Sequence, residues 1–135
     1  MQTPIAIAAD TARGLVLDAL RAGGETEVPE ADDLAAVELS RVRQLPAWVA
    51  RAGMLRSAGT WWLYVERARD QPAGGFEPGQ VVLDLPAGRY EIGTLDVRAR
   101  RWVALESATG GPVVAGLACP GDAAVLRVRH LAGVS

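Results

Sequence analysis

The chain has 135 residues, half of them apolar, which is enough for one domain with a real core and argues against disorder. Its net charge is −2 with acids and bases mixed along the length, so there is no basic footprint for nucleic acid and no acidic tail. All 14 basic residues are arginine, as codon bias in a GC-rich genome would produce, and the lack of lysine excludes a Schiff base and a Walker-type phosphate loop.

In chain order, Thr3 to Ala9 reads as a short strand. Asp10 or Thr11 then caps a helix whose stripe is Ala12, Leu15, Val16, Ala19 and Leu20 and whose stop is Gly23-Gly24. The polar span Glu25 to Glu30 is a loop. A second helix is expected from Asp32 or Asp33, with Leu34, Val37, Val42 and Leu45 on one face and with Trp48 and Val49 extending it past a break at Pro46. The pattern changes near Gly59, where short apolar runs begin to alternate with Gly and Pro turns. Six strands follow: Thr60 to Ala68, Gln80 to Leu85, Arg89 to Val97, Arg101 to Ser107, Pro112 to Cys119 and Ala123 to His130. Arg69 to Gly79 is the longest loop. The expected architecture is mainly β, an antiparallel β-sandwich of about six strands with an N-terminal pair of helices packed against it. Residues 1–58 form the helical segment and residues 59–135 the sandwich.

The span from Gln80 to Val97 is the clearest local signal. Val81, Leu83 and Leu85 share one face and Val82 and Asp84 the other, and Pro86-Ala87-Gly88 has the chemistry of a tight turn, so a hairpin is expected. After Tyr90 and Ile92 the apolar alternation resumes at Leu95 and Val97, one residue out of step, which predicts a bulge at Gly93.

Several residues could carry chemistry. Trp61, Leu63 and Val65 face one way along their strand and Trp62, Tyr64 and Glu66 the other, and a wet face of two aromatics beside an acid could stack and hydrogen-bond a sugar. The competing reading covers Trp62 and Tyr64 with the Leu34-to-Trp48 helix. Trp102 invites the same pair of readings. Asp84 and Asp96 could be neighbours across the hairpin, as a glycosidase pair would require, but suit a strand's wet face better. His130 is the only histidine, so no two-histidine zinc motif exists, and a strand-end structural role is favoured over a triad. Cys119 is the only cysteine, which rules out an intrachain disulfide and suits a buried thiol. The Arg98, Arg100, Arg101 cluster could grip an anion or simply be solvated. Gly110-Gly111-Pro112 and Pro120-Gly121-Asp122 read as turns. No cofactor or metal site is recognised. No run approaches the roughly 18 to 20 apolar residues of a membrane span and no export signal stands at the N-terminus, so a soluble chain without membrane partners is expected.

The series Trp61-Trp62-Leu63-Tyr64-Val65, then Val81 through the Leu85-Pro86-Ala87-Gly88-Arg89-Tyr90 hairpin to Ile92, then Leu95-Asp96-Val97-Arg98-Ala99-Arg100-Arg101-Trp102, resembles a C-terminal β-sandwich accessory domain of bacterial glycoside hydrolases, sometimes labelled collagen-binding. The match covers about residues 60–130, and Asp96 to Arg100 lacks the proline and glycine of that module's Asp-Pro-Arg-Thr-Gly. In that family the catalytic acids belong to the barrel, and a barrel needs roughly 250 residues. The resemblance therefore implies a non-catalytic module that binds carbohydrate or packs on a neighbouring domain. The alternative is an assembly protein whose apolar helix and aromatic strand face form a homo-oligomer or larger particle. A small hydrolase using His130 or the Asp84 and Asp96 pair is a third reading.

Overall fold

The computed structural model describes residues 5–24, 28–37, 42–45, 49–57, 59–67, 79–96, 101–117 and 123–131. Along these run β1 (Ile5–Ala6), α1 (Ala9–Ala22), a 3-10 turn (Ala31–Asp33), β2 (Ala35–Val37), β3 (Val42–Gln44), β4 (Val49–Ser57), β5 (Thr60–Arg67), β6 (Gly79–Asp96), β7 (Arg101–Leu117) and β8 (Ala123–Leu131). The fold is mainly β. The strands join in one sheet of order β1-β4-β5-β8-β6-β3, with β2 added on β4 and β7 on β6. β1 runs parallel to β4 and the other pairings are antiparallel, so the sheet is mixed. Strands from both sides of Gly59 share it, and Gly59 itself is the turn between β4 and β5, with φ 83°. Among the described residues no helix is long and apolar enough to cross a membrane.

α1 forms where its stripe predicts, burying Ala12, Val16, Leu17 and Leu20. Its start differs. The helix begins after Ala8 with no side-chain cap, and Asp10 instead sits in the first turn, where its carboxylate suits the helix dipole and accepts from Arg13 Nη1 at 2.6 Å. The stop is as read: the amides of Gly23 and Gly24 donate to the carbonyls of Ala19 and Arg21, and Gly24 takes φ 76°.

Among the described residues the second helix does not form. Asp32 and Asp33 lie in the 3-10 turn, and strands β2 and β3 occupy most of the expected stripe. The reason is where the apolar residues go. Leu34 packs beneath α1, whereas Val37, Val42 and Leu45 pack against the apolar cluster on the opposite face of the sheet. No single helix face serves two cores, while short strands that ladder onto β4 and β6 satisfy their backbone at the same time. Pro46 and Trp48 lie outside the described residues, as do Cys119, Arg98, Arg100, the Pro120-Gly121-Asp122 group and all of the predicted 69–79 loop except Gly79.

The predicted hairpin at Pro86 is also corrected. β6 continues through Pro86-Ala87-Gly88 without reversing, and its partner β7 continues through Gly110-Gly111-Pro112. Leu85 pairs with Gly111 and Arg89 with Thr109, so β6 accommodates the proline as an outsized bulge opposite glycines. At Gly93 the predicted irregularity is present between Ile92 and Thr94, but the extra residue belongs to β7, since Ile92 pairs with Glu106 and Thr94 with Val103. Against β8 the register through Gly93 is unbroken.

The sheet carries apolar clusters on both faces. One contains Trp61, Leu63, Val65, Leu126 and Val128 together with Val81, Leu83 and Leu85 from the first half of β6 and Tyr90 and Ile92 from its second half. The other contains Leu55, Trp62, Tyr64, Val125 and Leu95 under Ala12, Val16, Leu17 and Leu20 of α1. Tyr90 is the largest of the fully buried side chains and meets Trp61 and His130 edge-on, with ring centroids 5.7 and 5.3 Å away. Burial raises its phenol pKa above 10.0, while the nearby Arg56 charge pulls it down. A raised pKa means the neutral phenol is the folded form: this contribution to stability is complete below the ordinary tyrosine pKa and is lost as pH rises through the folded value. Tyr90→Phe is accordingly expected to remove one tyrosinate absorbance transition from the region above the ordinary tyrosine pKa in an alkaline titration and to flatten the loss of stability there.

Candidate binding site on the helix-side face

Strand alternation and ladder register together set the side chains of the helix-side face in rows. Across β4, β5, β8, β6 and β7 one row reads Gly53, Tyr64, Val125, Leu95, Trp102, the next Leu55, Trp62, Arg127, Gly93, and the next Ser57, Thr60, Arg129, Glu91. α1 covers the aromatic and aliphatic part of this array. The Thr60 row extends past the helix and is polar.

The sequence-predicted site residues share this face, as the alternation requires. Trp62 and Tyr64 are buried at 4% and 7% exposure, covered by α1 and not by the expected second helix. Tyr64 Oη lies 3.5 Å from Glu66 Oε1, and the Glu66 carboxylate meets Arg51 at 3.3 Å. Trp102 is half-buried with its ring centroid 6.4 Å from that of Trp62. They form two pairs on this face, Tyr64 with Glu66 and Trp62 with Trp102, and Trp62 and Tyr64 belong to the apolar cluster beneath α1.

What sequence reasoning missed lies beside them. Arg127 stands opposite both Trp62 on β5 and Gly93 on β6, and its guanidinium carbon sits 4.1 Å from the centre of the Trp102 ring. Gly93 presents no side chain at the crossing point, which leaves the path from β8 to Trp102 open. Arg129, one row further, bonds the Glu91 carboxylate across the ladder at 2.6 Å, and both side chains stay partly exposed. Val28, Pro29, Ser57, Thr60, Trp62, Arg127 and Arg129 line a cleft of about 290 Å³. The Trp62 indole N–H is buried and has no hydrogen-bond partner among the described residues. A buried donor left unpaired costs about 1 to 3 kcal/mol. The signal for this site was in the sequence: arginines at positions 127 and 129 must share a strand face, and the pairing of β8 with β5 makes it the Trp62 face.

The other chemical candidates are dispersed. Asp84 and Asp96 both lie on β6, so no ladder sets them side by side, and Asp84 meets Arg43 at 3.4 Å. His130 is exposed at the end of β8, its amide bonded to the Gly59 carbonyl at 2.9 Å and its ring edge-on to Tyr90. Arg101 opens β7 opposite Asp96. A larger hollow of about 530 Å³ beside α1 is lined by Asp10, Arg13, Gly14, Leu17 and Asp32. There Arg13 bonds both Asp10 and, at 2.7 Å, the Leu34 carbonyl, which pins the chain after the 3-10 turn to the helix. That hollow is a seam held by its own cation. Comparison with family models, curated proteins and solved structures finds no match for the chain.

Proposed function

We propose that the chain is a non-catalytic β-module of the kind that accompanies bacterial glycoside hydrolases, acting in carbohydrate-associated binding or in packing against a neighbouring domain. One observation carries the reading: Ser57, Thr60, Arg127 and Arg129 line one cleft together with the apolar Val28, Pro29 and Trp62, so hydrogen-bonding residues sit around an apolar wall. These are groups that hold a polyhydroxylated ligand. The two halves of β6 contribute to one apolar cluster, which suits the sandwich layering of such modules. Calorimetric titration against a panel of plant and microbial glycans tests the binding form; heat with at least one glycan is expected, and silence across the panel would refute it.

The second reading, an assembly protein, rests on what the surface still offers. The aromatic face is under α1, but Ile5 on the short β1 and Val114 on β7 are exposed at 66% and 51%. Apolar residues on strands beside open backbone suit pairing with another copy. Light scattering separates the readings: a mass that rises with concentration across the micromolar range supports assembly, and a constant monomer mass removes it.

A further inference from the structure

We propose that the outer edge of β7, from Pro112 to Leu117, pairs antiparallel with the same edge of a second copy of the chain, with Val114 at the twofold axis. The inference rests on the assembly reading above and adds the surface through which the copies meet.

Three observations lead to it. First, β7 is the long edge of the sheet. Its 17 residues ladder with β6, and among the described residues no strand flanks its other side. Elsewhere the sheet ends on β1, β2 and β3, strands of two or three residues that are too short to template a ladder. Second, Pro112 sets the direction of the backbone groups. It has no N–H to give β6, so its pair with Asp84 is the kind without hydrogen bonds between the two residues, and Val113 takes the bonded position opposite Leu83. Alternation along the unbroken register from Pro112 to Leu117 then turns the N–H and C=O of Val114 and of Gly116 away from β6. Third, the row Gln44, Val82, Val114 ends at this edge, and Val114 is exposed at 51%. A strand added beside β7 covers that side chain and meets the outward backbone groups at once.

The partner these features select is the same edge of another copy. Ser107 to Leu117 carries no charge and the chain has no lysine, so two copies meet there without the like-charge repulsion that guards edge strands. With Val114 opposite its twin, the two valines exchange both backbone bonds and each Gly116 N–H donates to the Pro112 carbonyl of the other copy, about four bonds in all. A paired segment from Pro112 to Leu117 is roughly 20 Å long, a contact smaller than that of a permanent dimer, so association is reversible and depends on concentration.

The test joins sedimentation velocity across the micromolar range with amide hydrogen exchange followed by NMR, on the whole chain and on Val114→Lys and Gly116→Pro variants shown by circular dichroism to be folded. A monomer-dimer equilibrium is expected. The Val114 and Gly116 amides should exchange fast in dilute solution and slow as the dimer fills, while those of Val113 and Ala115, bonded to β6, are slow throughout. Val114→Lys sets like charges side by side at the axis and is expected to weaken association roughly tenfold or more, and Gly116→Pro, which removes an outward donor and no bond to β6, to weaken it several-fold. The exchange pattern of the unmodified chain decides even where a variant fails to fold. Self-association that both variants leave unchanged, with Val114 and Gly116 exchanging as fast in the oligomer as in the monomer, would overturn the edge assignment and leave the assembly reading standing. A constant monomer mass removes both. Val114 and Gly116 amides already slow in the dilute monomer would show that the edge is covered within the chain, which overturns the proposal. Mass that grows past the dimer without a plateau would overturn the closed twofold contact in favour of head-to-tail pairing of unlike edges.

Discussion

Leu20→Ala is expected to cost the fold about 3 kcal/mol, read as a lower urea midpoint with an unchanged slope. Leu20 is at 0% exposure and is the helix's most enclosed large side chain, packed in the cluster with Leu34, Leu55, Trp62, Tyr64, Leu95 and Val125. The substitution improves helix propensity, since alanine is the best helix former, so local preference predicts a small gain. The large loss comes from transfer of the removed methyl groups plus the cavity left behind. The sign therefore tells whether α1 is docked on the sheet. Tryptophan emission should shift at the same time, because Trp62 lies in the same cluster. A loss below about 1 kcal/mol would mean that α1 contributes little to the core.

Gly53→Val should destabilise by about 2 kcal/mol, again against the local preference, because valine is a much better strand former than glycine. Gly53 lies on β4 in the row with Tyr64, directly beneath α1. A side-chain carbon there would stand 3.1 Å from Ala12 Cβ and 3.3 Å from Ile7 Cβ, with the Ile7 carbonyl oxygen at 3.8 Å, and the two γ-methyls of valine need more room still. The helix must lift or the chain at Ile7, just after β1, must move. Ala12→Gly on the Gly53→Val background should recover part of the loss, a coupling that a double-mutant cycle measures directly. Additive effects would show that the two positions do not touch.

Both substitutions bear on what the sequence could and could not reveal. The face assignment on β5 was legible because alternation is fixed by the pleat: Trp61 and Trp62 do fall in opposite clusters. α1 was legible from its stripe and its glycine stop. The Leu34-to-Trp48 helix was not, because helical spacing of four apolar residues does not say whether they serve one core, and here Leu34 and Val37 go to opposite faces of the sheet. Pro86-Ala87-Gly88 has the chemistry of a turn, but the same residues can pass through a bulge when the partner strand supplies glycines opposite, a fact held in the pairing and not in the segment. The candidate site was half legible for the same reason. Trp62 and Trp102 were visible as aromatics, whereas Arg127, Arg129 and Glu91 gained meaning only when β8 was placed between β5 and β6.

That placement is the centre of the functional account, and the indole region of a proton–nitrogen NMR spectrum tests it most directly. The chain has four tryptophans, so each indole N–H can be assigned by single substitution. On titration with a glycan that gives heat in the calorimetric panel, the Trp62 resonance and the backbone amides of Thr60, Arg127 and Arg129, which line the cleft, are predicted to move together. Shifts confined to Trp61, or to residues away from β5 and β8, would contradict the account.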